Sequence, residues 1–155
     1  SVLCQSCNNS NTLDTKCSKN NTLGIKNISK KRYGYQFEKI EITNMWGNLL
    51  NKGESHSPHT HSNNILSGVY YLQSGSPIQF FDPRPAATIL KPRNTANWDN
   101  SGMIQFDSTP DIALFFPSWL MHWVPSTSEE RVSISWNILV RGEYGEPHTF
   151  QNAYI

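Results

Sequence analysis

Three of the five histidines and one arginine form the chemically most telling pattern in the chain: His59-Thr60-His61, then His122, then Arg131-Val132-Ser133. Imidazole is the commonest metal-binding side chain, and a catalytic metal takes about three protein ligands while keeping open positions. On a β-strand, side-chain direction repeats every two residues, so His59 and His61 would project to one face and reach one ion. Ser57, Thr60, Ser62, Asn63 and Asn64 are candidate partners for the second ring nitrogens. His122 follows the apolar run Phe115-Phe116-Pro117, which should bury its surroundings. If Ser133 faces inward beside Arg131, guanidinium and hydroxyl converge on one carboxylate. A buried arginine with no acid nearby is costly unless an anion binds. Each piece has a plainer reading. His59 or His61 could be a solvated loop histidine, His122 a packed residue between Trp119 and Trp123, and Arg131 an exposed charge after Glu129-Glu130. Taken together they point to a metal site that also holds an anionic co-substrate. Asp82 is the carboxylate rival, because two histidines and one carboxylate are the usual non-haem iron set. It precedes Pro83, where turn capping explains it equally well.

These residues need a scaffold, and the chain reads as β-rich. It has 155 residues, enough for one core, with nine glycines, nine prolines and 12% aromatic residues, a mix that favours strands and turns over a helical bundle. Period-two or continuous apolar patterns predict strands over residues 36–46, 65–72, 78–81, 103–106, 112–116, 121–124 and 132–140. Residues 48–56 read as a connecting loop, and 84–101 as a long loop carrying Trp98. The C-terminal stretch from Arg141 should be a short strand or a covering tail, with His148 at the surface. Seven or eight short strands at regular spacing predict an antiparallel sandwich or jelly roll. Residues 1–32 are polar and read as an irregular lead-in to a single domain over 33–155. Cys4, Cys7 and Cys17 all lie there; the Cys4-Gln5-Ser6-Cys7 pair lacks a fourth zinc ligand nearby, so free thiols are expected. Asn8, Asn20 and Asn27 head glycosylation patterns that an Asn-rich segment produces by chance. The formal net charge of +1, with both signs interspersed, gives no sign of a nucleic-acid or anionic-membrane surface. No apolar run approaches the ~18 residues of a membrane span, and no signal-peptide core opens the chain. The expected setting is cytoplasmic, the expected partner a small-molecule co-substrate, and a homodimer stays open.

The residues from His59 to Leu72 resemble the central motif of a family of 2-oxoglutarate/Fe(II)-dependent oxygenases found in phages and marine bacteria. Phe80-Phe81-Asp82-Pro83-Arg84 resembles its next segment. Leu114 to Val124 and Arg131 to Asn137 resemble the two that follow. Four motifs in order cover about residues 37–140. The resemblance implies a double-stranded β-helix. It implies Fe(II) held by His59, His61 and His122, and 2-oxoglutarate held by Arg131 and Ser133, with Tyr71 as a further cofactor-binding residue. The activity implied is that of a dioxygenase, a hydroxylase in the host cytoplasm if the chain is viral. His61 stands where most of the wider superfamily carries a carboxylate. A second resemblance is to the cupins, another double-stranded β-helix family with three-histidine dioxygenases that use no 2-oxoglutarate. Gly53 with His59-x-His61 and Pro117 with His122 match their two motifs. Trp119 replaces a glycine, however, and a glutamate is missing. Cupins leave Arg131-x-Ser133 unexplained, and a metal-free ligand-binding jelly roll leaves all four site residues unexplained. Tyr71, Trp119 and Trp123 are the candidate lining of a substrate pocket.

Overall fold

The computed structural model describes residues 3–6, 34–84 and 89–155. Its elements are β1 (Leu3–Ser6), β2 (Lys39–Leu50), β3 (His56–His59), β4 (Leu66–Gln73), β5 (Ile78–Phe81), β6 (Met103–Phe106), β7 (Ile112–Pro117), β8 (His122–Val124), β9 (Arg131–Arg141), β10 (Glu143–Tyr144) and β11 (Ala153–Tyr154). No helix occurs among the described residues, so none is long and apolar enough to cross a membrane.

One sheet has five strands in the order β1-β7-β4-β9-β2, and the facing sheet has four in the order β3-β8-β5-β6. Every pairing is antiparallel. This is the predicted jelly roll. Two departures concern its edges. Leu3–Ser6, expected to be irregular, pairs with β7, whereas Cys7, Cys17 and the rest of the lead-in fall outside the described residues. β2 runs four residues beyond the expected Trp46 to Leu50, because its pairing with β9 continues unbroken from Asn44↔Asn137 to Leu50↔Arg131. The C-terminal stretch forms the small β10-β11 hairpin, and His148 is exposed.

Alternation along the central strands builds two apolar clusters. Between the sheets pack Val69 and Tyr71 of β4, Ile78 and Phe80 of β5, Leu114 and Phe116 of β7 and Val124 of β8. The opposite face of the five-stranded sheet gathers Leu66, Ala113, Phe115, Trp136 and Ile138. Gly68 sits in register with Trp136, and the missing side chain lets the indole lie across β4; a Cβ there would meet three indole atoms at 2.4–2.6 Å. Trp136 is only 3% exposed and has no room to retreat. Gly68→Ala is therefore expected to destabilise the fold by about 1–3 kcal/mol. Urea unfolding of the variant measures this directly, and an unchanged midpoint would contradict the close approach.

Candidate metal centre

β3 and β8 are direct neighbours, and His59 is in register with His122. The two histidines therefore meet side by side in one sheet, rather than from strands facing each other across the roll. β3 ends at His59, so His61 lies just past the strand. Its position comes from Ser118 instead: the His61 N–H donates to the Ser118 carbonyl (2.9 Å), and the Ser118 N–H donates to Ile65 (3.0 Å). The Ser67 hydroxyl anchors that corner, bridging Ser118 Oγ and Asn137 Oδ1 at 2.8 Å each within the core. Asn63 supplies the left-handed turn between His61 and β4 (φ 62°), a conformation asparagine tolerates.

The three rings converge. One nitrogen from each of His59, His61 and His122 lies within 4.8 Å of the others, and the His61 and His122 Nε2 atoms are 3.3 Å apart. Their second nitrogens are committed in two cases. His59 Nδ1 donates to the Ser57 carbonyl at 2.7 Å, and His122 Nδ1 donates to the Leu120 carbonyl at 2.8 Å, which turns both Nε2 lone pairs toward the centre. Ser57 is one of the partners expected from sequence; Leu120 is not. Trp46 stacks on His61 from β2 (centroids 5.8 Å), while Phe116 and Phe80 wall off His122 (4.7 and 5.7 Å).

Burial, reinforced by the neighbouring imidazoles, pushes the His122 pKa down to about 4 against the opposing hydrogen bond to Leu120. Burial and His59 lower that of His61 in the same way. Neutral imidazole is the metal-binding form, so the site stays ready for a cation at mildly acidic pH. The same shift has a stability consequence. A histidine whose folded pKa lies below its unfolded 6.5 binds fewer protons in the folded state, so its contribution is present above about pH 6.5 and is lost as pH falls toward 4. Metal-free protein should lose on the order of 2–3 kcal/mol from His122 across that window. Denaturant midpoints recorded from pH 7.5 to 4.5 check this; a flat profile would contradict it.

Arg131 and Ser133 open onto the same space. The histidines, Arg131, Ser133, Trp46, Asn48 and Ser135 line one cavity of about 440 Å³. Arg131 is 2% exposed, with Nε donating to the Ser76 carbonyl (3.1 Å) and Nη1 to Ser133 Oγ (3.2 Å). Its guanidinium carbon lies 5.1 Å over the Tyr71 ring. Tyr71 is fully buried and absent from the cavity wall, so it supports Arg131 from beneath instead of lining the pocket. No acidic residue is among the lining residues. The turn at Gly75 also leans on this arginine; a Cβ there would meet Arg131 Cβ at 2.6 Å.

Other expected residues stand elsewhere. Asp82 is outside the histidine group, gripped by Arg84 through Nη2 (2.6 Å), Nε (3.0 Å) and the backbone N–H (2.9 Å). The Arg84 bonds hold its pKa down at about 2. Trp119 is 61% exposed, and neither it nor Trp123 lines the cavity; its aromatic wall is Trp46 and Phe116. Sequence reasoning missed Asn48, Ser135 and His56. Asn48 Nδ2 donates to Ser135 Oγ (2.9 Å) and Ser133 Oγ (3.4 Å), and its Oδ1 accepts from Trp46 Nε1 (3.1 Å). Extending the β2 alternation by one step would have found it.

Comparison with known proteins gives a family and a fold. Residues 44–137 match the family described as "Putative 2OG-Fe(II) oxygenase". No curated protein sequence matches the chain. Among solved structures, a Pseudomonas putida prolyl-4-hydroxylase shares 15% identity with a TM-score of 0.59, covering 89% of this chain and 72% of its own. A Trichoplax adhaerens prolyl hydroxylase bound to a hypoxia inducible factor peptide fragment shares 12% at a TM-score of 0.59, covering 90% and 63%. The epimerase SnoN, solved with Fe3+, alpha-ketoglutarate and nogalamycin RO, shares 13% at 0.52, covering 81% and 59%. At these identities the structures speak for the fold alone. The matched span takes in β3 through most of β9, with every histidine of the cluster and Arg131, and on it the chain belongs to the 2OG-Fe(II) oxygenases, enzymes whose cofactors are iron(II) and 2-oxoglutarate.

Proposed function

We propose that the protein is an Fe(II)- and 2-oxoglutarate-dependent hydroxylase, with His59, His61 and His122 as the iron ligands and Arg131 and Ser133 as the anchor for the distal carboxylate of the oxo-acid. The observation that carries this reading is the pairing, in one cavity, of three convergent imidazoles with a buried arginine that no acidic lining residue faces. The donor set fits: imidazole suits first-row metals, iron included, and three protein ligands leave positions free. The guanidinium fits a carboxylate, and an oxo-diacid is the ligand whose far end would answer it. A cupin-type site has no use for that arginine.

Iron(II), when bound, supplies oxygen activation coupled to decarboxylation of the oxo-acid to succinate. The protein's own residues bind, orient and keep water away. The Ser57 and Leu120 carbonyls fix the His59 and His122 tautomers, while Phe80 and Phe116 dry the side of the centre next to His122. His61 in the place of a carboxylate leaves the centre one negative charge poorer, which strengthens its attraction for a dianionic co-substrate. Peptide side chains, nucleotides and small metabolites all remain candidate substrates. The two prolyl hydroxylases among similar folds make a prolyl peptide the first to assay.

The test is anaerobic titration of purified protein with Fe(II) and then 2-oxoglutarate, followed by visible absorption. A metal-to-ligand charge-transfer band that saturates with oxo-acid is expected. Iron binding without that band would sink the oxygenase reading and favour a cupin-like centre.

A further inference from the structure

His56 also lines the cavity, and the fold takes a specific step to put it there. It lies three positions before His59, an odd spacing that places two side chains on opposite faces of a regular strand. The β3–β8 ladder, however, is irregular between them. His56 is in register with Val124 and His59 with His122, so three steps along β3 (59 − 56) answer two along β8 (124 − 122). The extra residue at Ser57-Pro58 is a bulge, a device that re-aims a side chain. Its result is that His56 and His59 both face the cavity, as do Val124 and His122.

The surroundings of His56 differ from those of the three convergent histidines. It stands outside their group, so it is no fourth ligand of the same ion. It is half-buried. Burial lowers its pKa first, and the nearby positive charge of Arg131 acts next, ahead of His59. Among the described residues no hydrogen bond to its ring is found, in contrast to His59 and His122. Thus an imidazole whose pKa is lowered by burial and by Arg131 shares one cavity with the arginine and the histidine cluster, and no acid lines that cavity. A neutral donor adds a hydrogen bond beside Arg131 without adding like-charge repulsion.

Building on the proposed function, we infer that His56 is a further binding residue for the oxo-acid, donating its ring N–H to the distal carboxylate that Arg131 and Ser133 hold. A hydrogen bond to a charged group is worth roughly tenfold or more in affinity.

Anaerobic charge-transfer titrations of wild type, His56→Ala and His56→Gln with Fe(II) and 2-oxoglutarate test this, with pyruvate as an oxo-acid lacking the distal carboxylate. His56→Ala should bind 2-oxoglutarate about tenfold more weakly and pyruvate as wild type does. His56→Gln, which keeps a donor, should recover most of the loss, and Fe(II) affinity should be the same in all three. Wild-type 2-oxoglutarate affinity in His56→Ala overturns the inference while leaving the proposed function standing. An equal loss for both oxo-acids also overturns it, by placing His56 at the metal end. If wild type itself shows no band, the proposed function fails and this inference with it.

Discussion

Arg131→Met is expected to abolish 2-oxoglutarate binding while leaving Fe(II) affinity within about twofold, and to raise the thermal stability of the ligand-free protein. Both effects follow from one fact: a 2% exposed guanidinium with hydrogen bonds to neutral oxygens, among them the Ser76 carbonyl and Ser133 Oγ. Without an anion, Tyr71, through its ring and its hydroxyl, and these two bonds help to offset its burial. Burying a charge with no counter-charge costs several kcal/mol, and replacing it by an apolar residue of similar reach is often neutral or stabilising. Methionine fills the stem's volume while removing the charge. On the ligand side, two charge-assisted bonds at ~1.5–3 kcal/mol each correspond to a loss of about 100-fold or more. Differential scanning fluorimetry reads both ends of the prediction. Wild type at 100 times its Kd should gain about 2.7 kcal/mol from 2-oxoglutarate, and the variant at most about 0.4 kcal/mol. A variant stabilised by 2-oxoglutarate as fully as wild type would remove Arg131 from this role.

His122→Phe should reduce Fe(II) affinity by at least ~100-fold with the fold intact. Two-ligand sites hold divalent iron poorly, and even partners one bond removed from a metal are worth 10–100-fold. Phenylalanine is the informative choice because His122 is 4% exposed and packs its ring against Phe80, Phe116 and His59. Truncation to alanine would confuse a lost ligand with a lost core residue, at a cost of about 3 kcal/mol or more. The variant carries a second signature. Since His122 has the histidine pKa lowered furthest, to about 4, its removal should flatten the loss of stability between pH 6.5 and 4.5. Isothermal titration with Fe(II) under nitrogen, together with denaturant midpoints across pH, separates the two outcomes. Wild-type iron affinity in this variant would refute the three-histidine centre.

Local pattern in the chain determined most of the elements and the chemical cast. Short apolar or alternating runs bounded by turn residues placed β5, β6 and β7 almost to the residue, because strand propensity and side-chain direction are local properties of the chain. His59-x-His61, His122 and Arg131-x-Ser133 were legible for the same reason. Each is a short motif whose residues carry their chemistry wherever the fold puts them. Interstrand register was not legible, since it is decided by hydrogen bonds between segments far apart in sequence. That is why β3 and β8 turned out to be neighbours, why β2 continues to Leu50 and carries Asn48 into the cavity, and why the bulge before His59 turns His56 inward. Competition for partners was equally hidden. Asp82, a candidate ligand by sequence, is paired with Arg84 two residues on, and Tyr71, a candidate cofactor-binding and pocket residue, lies buried beneath Arg131. Sequence alone thus pointed to a metal centre with an anion anchor. Only the packing of two twisted sheets decided which side chains share the cavity between them.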